Sequence, residues 1–312
     1  MPGESLIRRR LKLRELDILM VVAHMGGMRK AAGHLHMSQP AVSKAIADLE
    51  RTLGVTLLDR GPHGVEPTAY GRALLDCGIA VFDDLRQGIR NIEFLADPTV
   101  GEIRIGSNET LIAGLIPAVF RRLRRQHPGI AVHVTPIPAP MEQQHELRER
   151  KVDIIVGRIP PSIDEDVAAD VLFDERTYVV AGLKNRWARR RKIKLAELAD
   201  EPWSLPSPNT LIGSLVADAF RANGMRFPPR GAAMGTLHLF SALLPSEPFL
   251  AIVPGSLLRF APTPLRVLPV KLPIPAWPVG IMTLKNRAIS PVAKLFIENA
   301  REVAKPLAKR NR

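Results

Sequence analysis

The sequence predicts an α/β protein that opens with an all-α winged helix-turn-helix. Three observations carry that reading. Residues 11–53 hold three short stretches of helical periodicity, separated by Gly26-Gly27 and by a turn that ends at Ser38. A longer helical stretch, 68–95, stops at Asp97-Pro98, because proline disfavours helix in the residue before it. Beyond residue 98, short apolar runs alternate with helical patterns, as in open α/β sheets that bind ligands at strand C-terminal ends.

The second and third helices are the most informative. Ala31 and Ala32, ahead of Leu35, are small enough for another helix to cross closely. Ser38 suits a helix N-cap and Pro40 a first helical turn. Val42, Ile46, Leu49 and Leu53 then repeat at three or four residues, which marks one buried face. Gln39, Ser43, Lys44 and Asp48 fall off that stripe and point outward. A tight turn followed by a helix with a polar outer face makes a helix-turn-helix, whose second helix enters the DNA major groove.

The first helix covers 11–23, with Leu13, Leu16, Leu19, Met20 and Ala23 facing inward. The second runs 28–35 and the third 39–53, where Gly54 accepts the left-handed conformation that ends it. Leu57-Leu58-Asp59-Arg60 and Gly64-Val65-Glu66-Pro67 flank Gly61-Pro62-His63, a small β-wing placed to touch phosphates or the minor groove. Gln39, Pro40 and Ser43 are therefore expected on base edges, with Lys44 and Arg60 on phosphates. Arg29, Lys30 and Thr68 complete the candidate DNA-binding set.

The net charge of +13 does not locate this surface. Residues 1–97 hold 13 Lys/Arg against 12 Asp/Glu, whereas residues 98–312 hold 31 against 19. The N-terminal segment has only a local basic cluster: Arg8, Arg9, Arg10, Lys12, Arg14, Arg29, Lys30, Lys44 and Arg60.

Thr68 caps the long helix, in which Leu75, Phe82 and Ile89 recur every seven residues with Leu85 and Ile92 between them. Such a seam resembles a short coiled coil, so these five residues are candidates for dimerisation. Packing against the chain's own first helix is the alternative. The remainder reads as strands at 102–106, 130–136, 152–157, 249–253 and 279–284, and an extended stretch at 171–182. Helices are expected at 111–126, 141–150, 211–223, near 237–244, and 291–304.

Composition narrows the function. No run of about eighteen apolar residues suits a membrane span, and Met1 to Arg14 lacks the apolar core of a secretory signal. Cys77, the single cysteine, excludes an internal disulfide and a zinc finger, and is expected to be a packing residue. The expectation is a cytoplasmic, nucleoid-associated protein with no membrane partner. No nucleophile elbow, P-loop or dinucleotide fingerprint occurs, so we expect neither enzymatic activity nor a cofactor. His34 and His36 diverge on a helix and lack a third metal ligand. Arg121-Arg122-Leu123-Arg124-Arg125 and Arg189-Arg190-Arg191-Lys192 are expected to be solvated faces, as is Asp164-Glu165-Asp166.

Residues 13–74 resemble the LysR-type transcriptional regulators. The likeness rests on Ala31-Ala32, Ser38-Gln39-Pro40-Ala41-Val42-Ser43, Leu49-Glu50, Leu53-Gly54, Leu57-Leu58-Asp59-Arg60, Thr68 and Gly71. Leu58 stands where the family usually has Phe. Gly101-Glu102-Ile103-Arg104-Ile105-Gly106 and Val152-Asp153-Ile154-Ile155-Val156-Gly157-Arg158 look like the family's effector-domain strands. The stretch from Val65-Glu66-Pro67 through Ile92-Glu93-Phe94-Leu95-Ala96-Asp97-Pro98 is similar to the branch around the galactose-binding-protein regulators.

The resemblance implies a DNA-binding domain at 1–67, a linker helix at 68–97 and an effector domain at 98–312. The last would consist of two α/β subdomains folded like periplasmic binding proteins, 98–167 with 269–312 and 168–268, holding a small molecule between them. It also implies double-stranded DNA, RNA polymerase and further copies of the chain, as a homotetramer, among the partners. Ser107, Asn108 and Thr110 then lie after the first strand, Ile137 after the second, and Ser207, Asn209 and Thr210 at a helix start of the other subdomain. Each of these polar residues also suits ordinary capping. Glu109 disfavours an anion there and ranks a neutral sugar-like effector slightly ahead of an aromatic acid, whereas Arg158 suits an acid. An architectural DNA binder, or a solute-binding module without regulation, is the competing reading.

Overall fold

The computed structural model describes residues 11–61, 64–228, 231–233, 237, 241–242, 248–260 and 265–309. The chain divides into two compact units, Met1–Ile89 and Arg90–Arg312.

The first unit begins with α1 (Leu13–Met25), α2 (Met28–His34) and α3 (Gln39–Leu53). Gly26, at φ 65°, ends α1, and Gly54, at φ 72°, ends α3. The Ser38 hydroxyl accepts the Ala41 N–H at 3.3 Å, giving α3 its cap. Ala31 and Ala32 are buried where α2 meets its neighbours, and Val42, Ile46 and Leu49 complete the core. On α1 the buried residues are Leu16, Ile18, Leu19 and Val22, while Leu13 is exposed, unlike the expected stripe. The cause is a second neighbour. In α4 (Ala69–Ala96), a Cβ on Gly78 would lie 2.9 Å from Met20 and 3.2 Å from Leu16, so α4 covers another face of α1.

Strands β1 (Leu58–Gly61) and β2 (Gly64–Pro67) form the expected hairpin, from Leu58 opposite Pro67 to Gly61 opposite Gly64. Its tip, Pro62 and His63, lies outside the described residues, as do Arg8, Arg9 and Arg10. The Val65 N–H donates to the Gly26 carbonyl at 3.0 Å and ties the wing to the α1–α2 turn. Glu50 Oε1 accepts the N–H groups of Leu57 and Leu58, at 2.7 and 3.3 Å.

The second unit is built on two five-stranded sheets. The first has the order β4-β3-β5-β12-β6, from β3 (Val100–Ser107), β4 (Gly129–Pro136), β5 (Ile154–Arg158), β6 (Val167–Glu175) and β12 (Trp277–Leu284). The second has the order β11-β7-β10-β8-β9, from β7 (Thr177–Gly182), β8 (Trp203–Leu205), β9 (Gly231–Ala233), β10 (Leu250–Pro254) and β11 (Leu265–Val267). Helices α6 (Leu115–Gln126) and α9 (Pro291–Lys309) pack on one face of the first sheet, through Val119, Leu123, Phe296 and Ala300. Helix α7 (Pro140–Arg148) covers the other through Leu147. In the second lobe, α8 (Leu211–Ala222) inserts Phe220 edge-on against Trp203, ring centroids 5.3 Å apart.

Three expectations are corrected here. The helix expected at 111–126 is two, α5 (Glu109–Ala113) and α6, broken at Gly114. Pro117 has no N–H for the Ala113 carbonyl, so a continuous helix loses that bond. The extended stretch 171–182 is two strands of different sheets. β6 pairs with β12 and sends Leu172 and Phe173 into the first core, so the chain leaves that lobe at Arg176 rather than at 168. It returns later than 269, because Leu268, Val270, Leu272 and Ile274 pack on the second core. The helix expected near 237–244 lies largely outside the described residues.

Asp153 anchors the start of β5. Its carboxylate accepts from the Arg104 N–H at 2.8 Å, Arg104 Nη2 at 2.8 Å and Arg287 Nη2 at 2.7 Å, with Arg90 Nη2 at 3.9 Å. Burial alone would raise this carboxyl. Hydrogen bonds and charge from Arg104, with the charge of Arg287, outweigh it and hold Asp153 below the ordinary carboxylate range.

Glu50→Ala leaves the Leu57 and Leu58 N–H groups without an acceptor and should cost about 1–3 kcal/mol. Faster amide exchange at both residues, partly restored in Glu50→Gln, is the expected observation. The depressed Asp153 carboxyl stabilises the second unit above the unfolded-state value of about 3.9 and ceases to do so as pH falls through its folded value. Trp187, Trp203 and Trp277, all in this unit, report its unfolding. Asp153→Asn should be less stable than wild type at neutral pH, and the gap in tryptophan fluorescence midpoints should close in acid.

Candidate nucleic-acid interface and ligand cleft

The surface of the helix-turn-helix follows from which side of α3 is buried. With Val42, Ile46 and Leu49 inward, Gln39, Pro40 and Lys44 are exposed and Ser43 half-buried. Arg29 and Lys30 are exposed in the first turn of α2, and Arg60 on the wing. Thr68 caps α4 as expected. Its hydroxyl donates to the Thr56 carbonyl at 2.8 Å and accepts the Gly71 N–H at 3.0 Å, so it joins wing to helix. The fit is tight, since a Cβ on Gly71 would lie 2.1 Å from the Leu57 carbonyl oxygen.

Along α4 the expected seam divides. Leu75 packs with Leu74 on the helix-turn-helix core, as the alternative reading had it, and Phe82 is half-buried. Leu85, Ile89, Ile92 and Leu95 are 46, 58, 68 and 78% exposed. Asp83 and Gln87 are buried on another face. Cys77 is exposed, which corrects its reading as a packing residue.

In the second unit a cleft of about 750 Å³ opens where the two sheets meet. Asn108, Thr110, Ile137 and Arg158 of the first lobe line it, with Asn209 and Thr210 of the second. Ser107 does not. It is fully buried, and its hydroxyl donates to the Val156 carbonyl at 2.5 Å, bracing β3 against β5. Ser207 is exposed and also lies off the lining; its carbonyl accepts the Thr210 hydroxyl at 2.7 Å. Capping occupies several lining groups. Asn108 Oδ1 accepts from Leu111 N–H and the Thr110 hydroxyl, and Thr210 Oγ1 accepts from Gly213 N–H.

Sequence reasoning missed Gln143, Thr177, Ser204 and Pro254, which also line the cleft. Gln143 sits on α7 with no local pattern to single it out, and only the fold carries it to the end of β5. Glu109 accepts the Leu237 N–H at 3.1 Å, from the opposite wall. Burial drives the Arg158 guanidinium below the ordinary arginine range, while the charge of Glu175 opposes that shift. Burial likewise raises the Glu175 carboxyl, against hydrogen bonds from Ser256.

Among the described residues no group of His, Cys, Asp and Glu could hold a metal ion. The expected acidic patch is answered by Arg148, which pairs with Asp164 and, at 2.8 Å, with Asp166. Arg121, Arg122, Arg124 and Arg125 are exposed on α6. No described helix is long and apolar enough to cross a membrane.

A winged helix-turn-helix followed by a two-lobed α/β unit with a cleft defines a DNA-binding regulator with a ligand-binding domain. Comparison with known proteins gives the family. The family of bacterial regulatory helix-turn-helix proteins of lysR type matches residues 13–72, and the LysR substrate binding domain matches residues 96–305. The chain belongs to the LysR family of transcriptional regulators. It is similar to the transcriptional regulator GbpR of Azospirillum brasilense, at 28% identity over 94% of this chain and 86% of that protein. It is also similar to PcaQ of Agrobacterium fabrum, at 27% identity over 96% of this chain and 97% of the relative. Among solved structures, the LysR regulator CbnR superposes with a TM-score of 0.61 and 24% identity, covering 94% of this chain and 99% of CbnR.

Proposed function

We propose that α3 reads an operator, that a small molecule in the two-lobed cleft switches the regulator, and that the assembly is a tetramer. One observation carries the DNA reading: α3 is anchored by its apolar face and by Glu50, leaving Gln39, Pro40 and Lys44 exposed. In this reading Gln39, Pro40 and Ser43 address base edges, whereas Lys44, Arg60, Arg29 and Lys30 hold phosphates. CbnR, of similar fold, has been crystallised with its target DNA. Residues 1–67, 68–97 and 98–312 serve as DNA-binding domain, linker and effector domain. The effector is held by Asn108, Thr110, Ile137, Arg158, Asn209 and Thr210, and acts by binding one arrangement of the lobes more tightly than another. The exposed apolar stripe at Leu85, Ile89 and Ile92 supports pairing of linker helices, because a contiguous apolar patch in water favours a partner. Further contacts between effector domains make the tetramer, and RNA polymerase is the downstream partner.

Operator selection from a random library, followed by anisotropy titration at several salt concentrations, tests the DNA face. Gln39→Ala should change the preferred sequence. Lys44→Ala should weaken all sites alike and lower the salt slope by about one. An unaltered slope would remove Lys44 from the phosphate contacts.

For the linker, Ile89→Glu sets a charge in the exposed stripe without touching the chain's own core. Sedimentation should show lost self-association, about 2 kcal/mol or more per interface if the carboxylate is desolvated there. An unchanged profile argues against linker pairing.

A further inference from the structure

Given the cleft as the effector site, two of its lining groups have hydrogen-bonding capacity left unmet, and they ask for different chemistry. Arg158, at the C-terminal end of β5, is half-buried and has no hydrogen-bond or ion-pair partner among the described residues. Glu175 attracts it only through space, its carboxylate being engaged by the Ser256 N–H at 3.0 Å and by the Ser256 hydroxyl. A guanidinium stays charged and presents a planar fork of donors, which a carboxylate matches better than any neutral group.

Gln143 is the second group, and it is 1% exposed. Its Nε2 donates to the Ile137 carbonyl at 2.8 Å, while Oε1 is buried without a partner. Gly157 makes room for that oxygen, since a Cβ there would lie 2.6 Å from it. A buried acceptor left unpaired is costly, and a ligand hydroxyl supplies the missing donor. A sugar answers Gln143 and leaves Arg158 bare; a simple acid does the reverse.

We propose that the effector is a hydroxycarboxylate, with its carboxylate on Arg158 and a hydroxyl donating to Gln143 Oε1. Glu109 is the like charge that counts against an acid, and one of its oxygens is engaged by the Leu237 N–H. About 750 Å³ admits an open-chain polyhydroxy acid or a hydroxylated aromatic acid, which share this chemistry.

Calorimetric titration of the full chain tests the proposal. The probes are gluconate and 4-hydroxybenzoate, their neutral counterparts glucose and 4-hydroxybenzamide, and the hydroxyl-free acids hexanoate and benzoate. At least one hydroxy acid should bind tenfold or more tightly than both of its counterparts. Arg158→Gln should abolish the advantage over the neutral compound, Arg158→Lys should restore part of it, and Gln143→Leu should abolish the advantage over the hydroxyl-free acid. Gluconate alone binding makes the ligand open-chain; 4-hydroxybenzoate alone makes it aromatic. Binding by neither, binding as tight by glucose, 4-hydroxybenzamide, hexanoate or benzoate, or affinity unchanged by Arg158→Gln overturns the hydroxycarboxylate. Asn209→Trp, which sets an indole in the cleft, separates the underlying reading. Any probe that binds this variant as well as wild type lies outside the cleft, whereas a neutral probe excluded by it keeps the cleft and overturns only the hydroxycarboxylate.

Discussion

The Asp153 carboxylate is the constraint on which the two-lobed half depends. It receives donors from β3 through both the backbone and the side chain of Arg104, and from the turn after β12 through Arg287. The Asp153 N–H in turn donates to the Arg104 carbonyl at 2.7 Å. Parallel β3 and β5 are thereby held in fixed register, so that Asn108, just after β3, and Arg158, the last residue of β5, both line the cleft. Arg90, at 3.0 Å from Glu102, brings the last turns of α4 into the same cluster. Asp153 and Arg287 are the most buried members of this network, so removing either leaves the other's charge poorly compensated.

The cleft results from the chain crossing between lobes twice. β6 and β7 are separated by Arg176 alone, and the return runs from β11 to β12. Each lobe has its own core, around Phe296 in the first and around Trp203 and Phe220 in the second. Besides the two connections, the lobes meet where Ser256 engages Glu175, Ala113 packs by Val253 and Leu257, and Phe260 packs on the first core. The contact of Glu109 with the Leu237 N–H also spans the cleft walls.

The DNA-binding unit follows the opposite principle. Ser38, Glu50 and Thr68 each commit side-chain oxygens to backbone donors, and the Gly26 carbonyl holds the wing at Val65. Little is left free to move except the exposed side chains of α3 and the wing. Such preorganisation suits base readout, in which small displacements forfeit paired hydrogen bonds.

The helix-turn-helix was legible in the sequence because its determinants are local: the Ser38 cap, the Gly26 and Gly54 stops, and the recurrence of Val42, Ile46 and Leu49 at three or four residues. Strand and helix alternation likewise announced the α/β half. The membership of β6 and the burial of Ser107 were not legible, since each depends on a partner far along the chain, β12 and Val156, whereas the break at Gly114 had a local sign in Pro117. The cleft shows the same division. Asn108, Thr110 and Thr210 carry sequence signals because capping is local chemistry, and capping is what occupies them. Gln143 and Arg158 came together only when folding buried the first and placed both on one wall of the cleft, a matter of tertiary packing that no sequence spacing encodes.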